Sequence, residues 1–194
     1  MTETPAETVA LTPSQTVGPY LSIGLFNEEM GSSLVPEDDP RAIRIRGQVL
    51  DGNGDPVPDG MVEIWQANAA GRYAHPADER EDVALESGFR GFGRCGTVDD
   101  GWFEFTTVKP GRVPMPDGRL QAPHVVVGVF ARGLLKRLAT RLYFPDEEEA
   151  NAADPVLAEL GAEERATLVA LAEDGGLRFD IRLQGEGQTT FFAV

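Results

Sequence analysis

Residues 43–73 read IRIRGQVLDGNGDPVPDGMVEIWQANAAGRY, and their pattern decides the fold class. Ile43, Ile45 and Val49 recur at a period near two, with Arg44, Arg46 and Gln48 between them, as in a strand with one buried face. The run DGNGDP over 51–56 supplies residues that tolerate positive φ and then a proline of fixed φ, before alternation resumes from Met61 to Trp65. The unit reads as an antiparallel hairpin.

Working outward, the same period appears in WFEFT (102–106), which KPG (109–111) ends. The run HVVVGVF (124–130) reads as a strand buried on both faces, 138–144 as the next, and LRFDIRL (177–183) alternates throughout. Residues 66–101 hold scattered apolar side chains among many Gly and Asp, which predicts long loops. Asp154-Pro155 pairs an N-cap with a proline at the first helical position, so a short helix carrying Val156, Leu157 and Leu160 is expected, closed by Gly161. A second is expected over 163–172. The prediction is an all-β chain, a sandwich of antiparallel strands with long loops and one or two short helices in the C-terminal third. It forms a single domain over 1–194 with an N-terminal arm to about residue 41. Within that arm, 34–41 reads as an exposed linker and TPSQTVGPY (12–20) as a rigid irregular loop.

The 14 Pro and 22 Gly suit a β layer with many turns. A single cysteine, Cys95, excludes an internal disulfide framework. A net charge of −15 repels phosphate backbones and anionic lipid, so neither nucleic acid nor a membrane is an expected partner. No apolar run is long enough to span a bilayer and no N-terminal apolar run appears, so the cytoplasm is the expected compartment.

Chemistry is thinly signalled. Cys95 lies in GFGRCG (91–96), a possible backbone-exposing loop, without a neighbouring histidine, and reads as inert packing. The chain has two histidines, His75 and His124, and three tyrosines, Tyr20, Tyr73 and Tyr143. A hard trivalent ion such as Fe(III) accepts phenolate oxygen, and His-x-His on a strand puts two imidazoles on one face. Here the corresponding step is His124-Val125-Val126, which lacks the second imidazole.

Residues 12–20, 47–73, FGR (92–94), VKPG (108–111), APH (122–124), FARG (130–133), TRLYFPD (140–146) and RFDIRLQGEG (178–187) resemble the intradiol ring-cleavage dioxygenases over nearly the whole chain. The resemblance is closest to the non-catalytic, α-type chain of the heteromeric members. It implies a β-sandwich paired with a homologous catalytic β chain, the αβ units assembling into larger symmetric oligomers. It also implies insertion of both atoms of O2 into the ring of a small aromatic, catecholic acid, on a non-haem Fe(III) bound by that partner. The family's iron ligands are two tyrosines and two histidines. Carried over, they fall on Tyr73, on or beside Val113, on His124 and on Val126, and an arginine before the first histidine becomes Gln121. Two valines cannot donate to a metal, so the resemblance implies a vestigial position with no metal and no catalytic residue in this chain alone. It assigns Thr16, Gly18 and Pro19 to a wall of the partner's substrate cavity and Arg132 to the same cavity, where a guanidinium would attract the substrate carboxylate. Two other readings stay open: a stand-alone binding module on the same sandwich, and an iron enzyme with unusual ligands.

Overall fold

The computed structural model describes residues 16–18, 24–25, 31–97 and 100–193. Pro19, Tyr20 and the arm over 1–11 lie outside the described residues. Nine strands make up most of the regular structure: β1 (Ala42–Leu50), β2 (Met61–Trp65), β3 (Phe92–Gly96), β4 (Trp102–Val108), β5 (His124–Phe130), β6 (Leu138–Tyr143), β7 (Leu171–Glu173), β8 (Gly176–Arg178) and β9 (Ile181–Arg182). They form two sheets, one ordered β4-β1-β8-β7 with β9 also on β1, the other β3-β2-β5-β6.

The alternation seen in sequence builds the core. Ile45, Val49, Phe103, Phe105 and Ile181 of the first sheet meet Val62, Ile64, Val125, Val127, Val129 and Leu142 of the second, all buried. Fully burying one such side chain contributes about 1.5–3 kcal/mol, so this interior is the main source of stability. The predicted sandwich is observed.

Several local expectations are corrected. β1 and β2 are not hairpin partners. The chain starts a hairpin, with Val57 N–H donating to the Val49 carbonyl at 2.9 Å and Leu50 bridging Pro56. Pro56 and Pro58 then offer no N–H to extend the ladder, and the chain crosses to the other sheet. The sheets are also not purely antiparallel, because β8 and β9 run parallel to β1. The apparently continuous strand over 177–183 is split, since Gln48 N–H is taken by the Asp180 carboxylate at 3.0 Å where a backbone carbonyl would continue the ladder. At the same place Gly47 is obligatory: a Cβ there would lie 1.8 Å from the Phe179 carbonyl oxygen.

Residues 91–96 are not an exposed loop, for 92–96 form β3, paired with β2 and fastened by the Arg94–Glu63 ion pair across the register. Of the expected exposed linker over 34–41, residues 36–38, 40 and 41 are exposed, but its start is tied to the sheet. Leu34 N–H donates to Thr106 at 2.8 Å and Val35 is buried. Of the helices, Asp154 caps as expected, accepting Val156 and Leu157 N–H at 2.8 and 2.9 Å, but only a 3-10 turn (Leu157–Glu159) follows. The second helix, α2 (Ala162–Ala166), stops early because Leu168 is needed in the core and Ala170 bonds to Tyr143; 171–173 are then strand. A further short helix, α1 (Glu148–Ala152), has no buried residue and no sequence signal had pointed to it.

Candidate functional site

The outward face of the second sheet carries the polar and aromatic cluster. Register aligns Arg141, Val126, Trp65 and Phe92 across four strands, with Tyr143 opposite His124 in the next row. Tyr73 stacks on Trp65 with centroids 5.6 Å apart and planes 11° off parallel, and His75 meets the indole edge-on. Tyr73 is held there by a backbone clamp. Asn68 Oδ1 accepts Ala70 and Arg72 N–H, and its loop lies so close to 111–112 that a Cβ on Gly71, whose φ is +84°, would sit 2.2 Å from the Arg112 oxygen. The clamp brings Val113 beside Tyr73. Together with Trp65, His75, Arg80 and Met115 they line a cavity of about 720 Å³.

Beneath this lies a closed polar network. His124 is buried and donates Nδ1–H to the Ala122 carbonyl at 2.8 Å. Ala122 N–H donates to Asp154 Oδ2 at 2.7 Å, and Tyr143 Oη donates to Asp154 Oδ1 at 3.3 Å. Arg141 Nη1 donates to Gln121 Oε1 at 2.8 Å and to Tyr143 Oη at 3.3 Å. Burial pushes His124 down to about 4, helped by the Arg141 charge. Burial pushes Tyr143 up to about 12 and raises Tyr73. At neutral pH this face therefore holds a neutral imidazole and two protonated phenols.

These residues do not fit a metal. Valine stands at two of the four positions, and a valine side chain has no atom that can donate to an ion, which leaves Tyr73 and His124 as the remaining donors. Among the described residues, no group of three or more His, Cys, Asp or Glu could hold an ion.

The other sequence-singled residues lie at the opposite end of β5, roughly 20 Å along the strand at about 3.3 Å per residue. Arg132 follows the strand on an exposed turn, its side chain 72 % exposed and paired through Nε with Asp59. Thr16 Oγ1 accepts Gly133 N–H at 3.0 Å, so the structure joins Thr16 to the Arg132-Gly133 turn. Gly18 is exposed, with open space where a side chain would stand. Cys95 is half-buried in β3, its thiol raised by burial. Sequence reasoning missed Arg141 and the role of Asp154 as a hub. The charged residue interrupting 138–143 was the available signal for the first.

The chain belongs to the intradiol dioxygenase family: the family model described as Dioxygenase matches residues 27–185. It is 46% identical over 203 residues to the protocatechuate 3,4-dioxygenase alpha chain of Burkholderia cepacia, spanning 96% of this chain and 99% of that one. To the alpha chain of Pseudomonas putida it is 44% identical, and to the Burkholderia cepacia beta chain 35%, over 86% of this chain and 75% of that one. Among solved structures, the dioxygenase domain of a dioxygenase carbohydrate-binding protein fusion from Streptomyces sp. SirexAA-E superposes with a TM-score of 0.55 at 26% identity, covering 90% of this chain and 98% of that one.

Proposed function

We propose that this chain is the non-catalytic α subunit of a protocatechuate 3,4-dioxygenase, completing the active-site wall of an iron-bearing β subunit. The reading rests above all on one observation: a chain similar to α chains from end to end has apolar side chains at two of the four ligand positions. The iron of the reaction then belongs to the β chain. There, 3,4-dihydroxybenzoate is opened by O2 to 3-carboxy-cis,cis-muconate in the cytoplasm.

What this chain contributes is shape and charge. Thr16 and the Arg132-Gly133 turn meet at the far end of β5 from His124. A wall at that end cannot enclose this chain's own vestigial face, but it can enclose a neighbour's. Arg132 is exposed and paired with Asp59, an ion pair that a bound carboxylate can replace at little cost because exposed pairs stabilise by about 0–1 kcal/mol. Leu135, 61 % exposed on the same turn, adds an apolar contact for a partner. Against the background of −15, such a local cation attracts an aromatic carboxylate that the average surface repels.

The test compares iron content and visible absorption of this chain purified alone with those of the same chain co-expressed with a homologous β chain. A colourless, iron-free single chain that yields a coloured, active complex supports the reading. A coloured, iron-loaded chain on its own refutes it and favours an enzyme with unusual ligands.

A further inference from the structure

The loss of two donors counts against iron at the vestigial face, and the structure holds a second obstacle. Arg141 stands directly across the ladder from Val126. Opposed Cβ atoms on neighbouring strands are about 4.5–5.5 Å apart, so any ligand introduced at 126 would bring its ion against the guanidinium. That guanidinium is turned into the cluster, bonded to Gln121 Oε1 and Tyr143 Oη and lying 5.9 Å from the Phe192 ring centroid. Among the described residues no carboxylate forms an ion pair with it, and its link to the Asp154 carboxylate runs through Tyr143 Oη. After burial, the guanidinium is the strongest electrostatic influence on Tyr73, His124 and Tyr143 alike.

We propose that Arg141 is a built-in cation that occupies, in charge and in hydrogen bonding, the place of a metal on this face and excludes one from it. The proposal rests on the assignment of the ligand positions to Tyr73, His124 and position 126, and is independent of the partner reading. Charge is the operative property. A half-buried guanidinium repels a trivalent ion in a medium of reduced dielectric, while Gln121 and Tyr143, which could otherwise turn toward an ion, are held by its donors. The face is thereby stable without a metal, and restoring a donor alone does not reopen it.

The experiment loads the full chain with Fe(III) and reads bound iron per chain together with the visible band of an iron-phenolate, with near-ultraviolet circular dichroism confirming native packing. Val126→His stays at background. Val126→His with Arg141→Gln rises to near-stoichiometric iron and gains the band, which Tyr73→Phe then removes. Val126→His with Arg141→Lys, which keeps the charge, stays at background. Val126→His with Arg141→Met carries the expectation of the glutamine variant should that one not fold. Equal loading of Val126→His with and without Arg141, loading of the lysine variant, or no loading in any folded variant overturns the proposal. Iron bound without the phenolate band instead faults the assignment of Tyr73.

Discussion

At the scale of single residues, burial converts ordinary side chains into pH-dependent elements of stability. His124 sits with its ring enclosed and its folded pKa depressed to about 4. The unfolded chain takes up a proton near the ordinary 6.5 and the folded one does not, so stability is full above about 6.5 and falls as pH drops toward about 4. The loss is on the order of 3 kcal/mol. Thermal melting across this window should show it, and His124→Gln should flatten the profile there. Asp78, held well below the usual carboxylate range by Arg80, titrates lower still and contributes a separate loss. Asp154 is the opposite kind of residue, a buried carboxylate satisfied by three backbone N–H groups and a phenol. Asp154→Ala leaves those donors without an acceptor, and chemical denaturation should record a loss of about 3 kcal/mol or more.

At the scale of elements, the decisive contacts are places where backbone meets backbone. The loop carrying Tyr73 is pressed onto the segment preceding Val113 through Gly71, whereas Gly88, with a similar φ of +82°, has open space around it. A methyl group at Gly88 costs only the backbone conformation, about 1 kcal/mol. At Gly71 it also collides with a carbonyl. Gly71→Ala should therefore be the more destabilising by at least about 2 kcal/mol, and it should disturb the Tyr73–Trp65 stack, which near-ultraviolet circular dichroism reads. Equal effects of the two substitutions would show that the clamp is slack.

At the scale of the whole molecule, the two ends of β5 carry different fates: a sealed polar network at His124 and an exposed, charged turn at Arg132. If the second end serves a partner's cavity, Arg132→Ala in the reconstituted complex should raise KM for protocatechuate several-fold, about tenfold for an interaction of about 1.4 kcal/mol, with iron content unchanged. Unaltered kinetics would remove Arg132 from the substrate's surroundings.

Much of this was legible in sequence. Alternation marked five of the strands because burial on one face imposes a period of two wherever the strand lies. That position 126 offers no metal donor was legible as well, since valine has none in any fold. Other features were decided only in three dimensions. That β1 and β2 belong to different sheets, that β8 and β9 run parallel to β1, and that 92–96 is a strand depend on which strand comes to lie alongside, and local pattern does not encode a distant neighbour. The same holds for the site: Arg141 and Val126 are separated in sequence and meet only through the β5–β6 register. Side-chain chemistry is a property of the residue and can be read one position at a time, whereas what a side chain faces, and therefore whether it binds, repels or merely packs, is settled by the pairing of elements.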